Sequence, residues 1–108
     1  MKRGDIVIVS APGDYGKPRP AVVTQSDKLQ SMDSILVSLI TSMLVEAPLF
    51  RLSLEPSEKN GLKHKSQVVI DKIVAVPRTK CAPVIGHLER EELITLNHML
   101  AVVIGIAD

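Results

Sequence analysis

The segment Lys17-Pro18-Arg19-Pro20 sets one arginine between two prolines at the mouth of a β-branched run, Ala21-Val22-Val23. Each pyrrolidine ring fixes φ, and Pro20 also restricts the residue before it, so Arg19 is carried on stiff backbone rather than on a mobile tip. A guanidinium is planar, permanently charged and forked. It suits the oxygens of a phosphodiester and the charge that builds on them during transfer. An arginine that only bonds loop carbonyls would satisfy the same pattern, and the motif by itself leaves both open. Other chemistries lack their residues. His64, His87 and His98 show no HExxH or i, i+4 relation and Cys81 is the only cysteine, so neither a metal centre nor a cofactor is expected. Gly13-Asp14-Tyr15-Gly16-Lys17 resembles a phosphate loop only superficially, because the Walker spacing and the Ser or Thr after its lysine are missing. Ser10, Ser38 and Ser42 sit in no nucleophile-elbow context.

A chain of 108 residues has room for one domain, spanning 1–108, to hold this arginine. Its composition, 45% hydrophobic and 23% charged, is that of a globular core and argues against disorder. Tyr15 and Phe50 are the only aromatics, which excludes an RNA platform built from several stacked rings. A net charge of +1 excludes a polybasic reading. The distribution is uneven: Lys59, Lys63, Lys65, Lys72, Arg78 and Lys80 face only Asp71 in their stretch, which allows either a solvated surface or an edge that meets a polyanion. One cysteine permits no intrachain disulfide and fits a reducing cytoplasm. The apolar run Ile6 to Val9 is too short for a signal-peptide core, and Met99 to Ala107 is about half the ~18 residues of a membrane span.

The elements that must position Arg19 are mostly strands. Asp5 to Ser10, Pro20 to Gln25 and Ile35 to Ile40 are β-branched runs bounded by turn residues, and Phe50 to Glu55 alternates with period two. Glu55 to Gly61 is turn-forming, with Asn60-Gly61 the strongest local signal for positive φ. Ser66 to Val76 follows as a long strand closed by Pro77. Leu93, Leu96, Leu100 and Val103 then recur at helical spacing behind Glu89, Glu91 and Glu92, predicting a terminal helix from about Glu89 to Val103. Four to six short strands and one helix make a strongly bent antiparallel sheet or partly open barrel.

Four stretches taken together, KRGDIVIVSAPGDYGKPRPAVVTQSD, SLITS, APLFRLSLEPSEKNGL and SQVVIDKI, resemble the PemK/MazF family of bacterial toxins in order along nearly the whole chain. The resemblance implies a mainly β fold, a small SH3-like barrel with a C-terminal helix, that forms homodimers in the bacterial cytoplasm. It also implies cleavage of single-stranded messenger RNA without a metal and silencing by a cognate antitoxin protein. The family arginine falls on Arg19 and the family threonine on Thr41, with Ser42 beside it. An acidic residue of some members matches Asp14, and an aspartate of others matches Asp71. Where certain members carry a second active-site arginine, this chain has Val69, and the usual PLTS turn is Leu39-Ile40-Thr41-Ser42.

Cleavage by a neighbouring 2′-hydroxyl needs a proton acceptor, stabilisation of the phosphorane oxygens and a donor to the leaving 5′-oxygen. Arg19 fits stabilisation, Asp14 or Asp71 the base, and Thr41 a hydrogen bond to the scissile phosphate, while the proton donor stays open. For Thr41 the competing role is capping a turn, and for Asp71 it is an ion pair with a strand neighbour. Lys17, Lys63 and Lys65 are expected to track the RNA backbone, with Tyr15, Pro18, Ser42 and Gln67 as further substrate contacts. A gyrase-inhibiting CcdB-type toxin and a non-catalytic SH3-like nucleic-acid or protein module are the alternatives.

Overall fold

The computed structural model describes residues 1–10 and 17–107. Six strands form one antiparallel sheet: β1 (Asp5–Val9), β2 (Arg19–Val23), β3 (Ser34–Thr41), β4 (Arg51–Leu54), β5 (Ser66–Pro77) and β6 (Cys81–His87). Their spatial order is β4-β5-β3-β2-β1-β6, and the sheet does not close into a barrel. One helix, α1 (Arg90–Val103), follows β6. The strands expected at 5–10, 20–25, 35–40, 50–55 and 66–76 are all present within a residue or two. β6 was not anticipated. Pro83 and Gly86 lie inside it, both poor strand residues, and they are tolerated because β6 is an edge strand whose pairing with β1 is interrupted by two register shifts.

The bend of the sheet is concentrated in β5. Ser38 on β3 faces Ile73, but Ile40, two residues on, faces Val68, so the β5 residues 69–72 oppose Leu39 alone. Such an excess in one strand bends it sharply and increases its twist. The bend lets the sheet bury both of its faces. On one face Ile6, Val22, Ile40, Leu52, Leu54, Val68 and Ile70 pack with Leu88 and with Leu96 of α1. On the other, Val7, Val9, Ala21, Val23, Ile35, Val37 and Val76 pack with Cys81. Burial raises the Cys81 thiol above its ordinary range, opposed by the Arg78 charge, so this cysteine is a neutral core residue.

The helix begins with a reciprocal cap. Glu89 accepts from the backbone of the third helical residue, and the Glu92 carboxylate accepts from the Glu89 N–H at 2.8 Å. Leu96 is fully buried beneath it, with Leu93, Met99, Leu100 and Val103 packed alongside. Arg3 fastens the helix to the sheet: its Nη1 donates to Asn97 Oδ1 at 2.7 Å and its Nε to the Thr24 carbonyl at 2.9 Å.

The segment between β4 and β5 spans from one edge of the sheet to the other. It leaves edge strand β4 and reaches edge strand β6, where the His87 N–H donates to the Lys59 carbonyl at 2.9 Å. Asn60, only 3% exposed, organises the crossing. Its Oδ1 accepts from the Ser57 N–H at 3.0 Å and the Leu62 N–H at 2.9 Å, and its Nδ2 donates to the Glu55 carbonyl at 2.7 Å. Gly61 has φ 69°, as the Asn-Gly pair implied. A Cβ there would strike the Ile85 carbonyl, and one on Gly86 would strike the backbone of Lys59 and Asn60.

Two stability measurements test this packing. Leu96→Ala should cost about 2–5 kcal/mol in urea unfolding, because it leaves a cavity between helix and sheet. Asn60→Ala strips three buried or half-buried backbone groups of their partner, at about 1–3 kcal/mol for each group left unsatisfied. It should lower the urea midpoint clearly more than Ser57→Ala, which removes one hydroxyl bond from the same turn.

Candidate active site

At the end of the sheet where β2 begins and β3 finishes, the backbone registers do the positioning. The β2–β3 ladder runs from Val23–Val37 to Ala21–Leu39, and Arg19 and Thr41 are the terminal residues of the two strands just beyond it. Arg19 is the ladder partner of Val9, and Thr41 that of Gln67. Arg19 and Thr41 are both half-buried and line one cleft of about 640 Å³. Its floor is apolar, made by Ile8, Pro20, Ile40 and Ile85. Its polar wall adds Ser42, Lys63, His64 and Ser66 to Arg19 and Thr41. An apolar base with a few converging polar groups is the usual build of a ligand site, and this volume is in the usual range.

Thr41 does what a strand-end threonine does locally, and the geometry leaves it a second task. Its Oγ1 accepts from the Met43 N–H at 3.0 Å, closing the turn that leaves β3. That bond uses an acceptor lone pair and leaves the hydroxyl proton available for a phosphate oxygen. Ser66 sets the opposite approach, its hydroxyl donating to the His64 carbonyl at 2.8 Å just before β5. His64 was absent from the sequence-derived candidates, because nothing in its spacing signalled that the crossing segment returns to Arg19.

The remaining candidates divide. Ser42 and Lys63 join Arg19 and Thr41 in the cleft. Lys17 and Pro18 are exposed immediately before Arg19. Asp14 and Tyr15 lie outside the described residues. Asp71 is exposed within the irregular stretch of β5 and is not among the residues lining this cleft. Lys65 and Gln67 line a neighbouring depression of about 490 Å³ with Arg51 and Ser53, and Lys65 pairs with Glu55 at 3.5 Å.

Gln67 is 7% exposed and its amide is committed to the protein. The carbonyl oxygen accepts from the Val45 N–H at 3.0 Å and Arg51 Nη1 at 3.1 Å, while the nitrogen donates to the Val45 carbonyl at 2.9 Å. Gln67 therefore holds the segment after Ser42 against the sheet. Val69 faces Arg51 across the β4–β5 ladder. That arginine also donates to the Met43 carbonyl at 3.2 Å, so its guanidinium is a clamp on the same segment.

The basic stretch from Lys59 to Lys80 is only partly an anion-facing edge. Lys59 pairs with Glu89 at 3.2 Å, and Arg78 donates to the carbonyls of Met32 at 2.9 Å and Leu29 at 3.4 Å. Lys63 is the lysine of that stretch that enters the cleft. His98 is exposed on the helix. Among the described residues no three His, Cys, Asp or Glu side chains gather where they could hold a metal ion, and no helix is long and apolar enough to cross a membrane.

The chain is similar to known proteins in both sequence and fold. The chain is 37% identical to the probable endoribonuclease MazF of Mycolicibacterium smegmatis over 108 residues, covering 99% of both chains. Its fold is similar to that of the toxin MazF-mt6 of Mycobacterium tuberculosis, with a TM-score of 0.81 at 19% identity over 94% of this chain and 96% of that one. A mycobacterial endoribonuclease solved in complex with its cognate antitoxin superposes with a TM-score of 0.82 at 15% identity, covering 98% and 96% of the two chains. The sequence model of the PemK-like, MazF-like toxins of type II toxin-antitoxin systems matches residues 2–104, and the chain belongs to that family.

Proposed function

We propose that this chain is an endoribonuclease that cuts single-stranded messenger RNA at short sequences without a metal, as the toxin of a toxin-antitoxin pair. The observation that supports it most is the convergence of Arg19 and Thr41, from the adjoining ends of β2 and β3, on one cleft. Arg19 meets the non-bridging oxygens of the scissile phosphate and stabilises the charge that grows there as the 2′-oxygen attacks phosphorus. Thr41 donates its hydroxyl proton to the same phosphate. Because the substrate brings its own nucleophile, a metal-bound hydroxide is not required. Asp14, five residues before Arg19, takes the 2′-hydroxyl proton. Asp71, away from the cleft lining, is the weaker candidate for that role. Ser42 and Lys63 hold the flanking backbone, and Lys17 meets it at the approach.

The protein works in the bacterial cytoplasm as a homodimer, consistent with the exposed apolar side chains Ile104 and Ile106 that follow α1. Its activity is held in check by a cognate antitoxin, a partly disordered segment that folds as it covers the cleft around Arg19. The fold is shared with MazF of Deinococcus radiodurans, which has been solved as a MazE–MazF complex, at a TM-score of 0.76.

Purified protein incubated with a diverse single-stranded RNA pool in EDTA should cut it, and Arg19→Ala should slow cutting by about 10²–10³-fold, as for loss of one oxyanion donor. Intact RNA, or equal cutting by the variant, would remove this function. A single 2′-deoxy nucleotide at the cleaved position should abolish cutting there and leave other sites untouched; persistent cutting would mean that water is the nucleophile.

A further inference from the structure

Transesterification by a 2′-hydroxyl moves two protons, and the cleft as described so far supplies no good donor for the second. Arg19 and Lys63 are cations, and guanidinium and ammonium groups are weak acids. Near neutral pH they hold their protons too tightly to give them efficiently to a leaving oxygen. Thr41 and Ser66 are alcohols. Among the described residues, the other side chain on the cleft wall able to carry a proton is His64, exposed and three residues beyond Gly61 on the segment that Asn60 folds back over β6. Imidazole is the side chain most often used to give or take a proton in such reactions.

The surroundings of His64 place it within the cleft that RNA would occupy. The charged side chains that share the cleft with it are Arg19 from β2 and Lys63 from its own segment; β1, β3 and β6 contribute Ile8, Thr41 and Ile85. Lys65, the next residue, is already paired with Glu55. A phosphodiester held by the two cations lies in the same cleft as the imidazole.

We propose that His64 is the general acid of the cleavage reaction, giving its proton to the 5′-oxygen as that oxygen leaves; this rests on the endoribonuclease reading above. The 2′-oxygen forms a bond to phosphorus and its proton passes to the base. The bond from phosphorus to the 5′-oxygen breaks, and that oxygen takes the imidazolium proton. The products are a 2′,3′-cyclic phosphate and a free 5′-hydroxyl, and neutral His64 regains a proton from water.

The experiment compares the wild-type protein with His64→Ala and His64→Gln, each checked for an unchanged unfolding midpoint, which an exposed loop position should allow. The substrate is an oligonucleotide containing a cut site identified by sequencing cleaved RNA ends. It is made with the normal linkage and with sulfur in place of the bridging 5′-oxygen, since a thiolate leaves without a proton. The wild-type rate should fall as pH rises through the imidazole range. Both variants should cut the oxygen substrate about 10²–10⁴-fold more slowly, lose that pH dependence, and cut the sulfur substrate at close to the wild-type rate. Variants that match the wild type in rate and pH profile, or that are equally slow on both linkages, would overturn the donor role while leaving the nuclease in place. A wild-type protein that cuts no RNA would instead overturn the reading on which the role rests.

Discussion

The cleft exists because one side-chain amide solves a backbone problem. The sheet has two open edges, β4 and β6, and the chain between β4 and β5 must cross from one to the other without leaving buried peptide groups unpaired. Asn60 answers this with three hydrogen bonds, to the backbone of Ser57, Leu62 and Glu55, while the absent side chains of Gly61 and Gly86 let the two backbones touch. The crossing then returns Leu62, Lys63 and His64 to the ends of β2 and β3. Without it, Arg19 and Thr41 would stand on an open sheet end. With it, they line one side of a cleft whose other side is made by Leu62, Lys63 and His64.

Much of this was legible in the residues. Period-two alternation in Phe50 to Glu55 and the β-branched runs located five strands, and the i, i+3, i+7 spacing of Leu93, Leu96 and Leu100 located the helix. Those are local signals, and local signals survive into the fold when burial agrees with them. Arg19 and Thr41 were nameable from flanking prolines and family pattern, but their juxtaposition is a property of strand register, which no single segment encodes. β6 was hidden because Pro83 and Gly86 argue against a strand unless it is known to lie at an edge. His64 was hidden for a related reason: it enters the site through a long-range contact between the 55–65 segment and β6. The same distance effect misleads in the other direction for Gln67, whose position next to the site in sequence suggested substrate contact. Its amide is instead saturated by Val45 and Arg51.

Charge shows how little a local sum decides. The stretch from Lys59 to Lys80 carries an excess of five positive charges by count, yet Lys59 and Lys65 are each placed beside a glutamate, and Arg78 is spent on the carbonyls that fold residues 29–32. The exposed pairs contribute little to stability, but each lowers the field its lysine sends toward an incoming polyanion. Among the described residues, Arg19 and Lys63 are the cations that line the cleft. A small cationic site of this kind depends on shape more than on long-range attraction.

The arginine that some relatives place two positions before the aspartate of β5 is Val69 here, and the consequences reach beyond one missing charge. Val69 is buried, and the guanidinium nearest to it in the ladder belongs to Arg51 on β4, which points its Nη1 at the Met43 carbonyl and Gln67. A charge at that row has thus been turned from the substrate to the scaffold. It holds the segment after Thr41, in a chain where Leu39 stands at the place of the proline in the PLTS pattern. Asp71, the partner such an arginine would have had, is left exposed in the bend of β5.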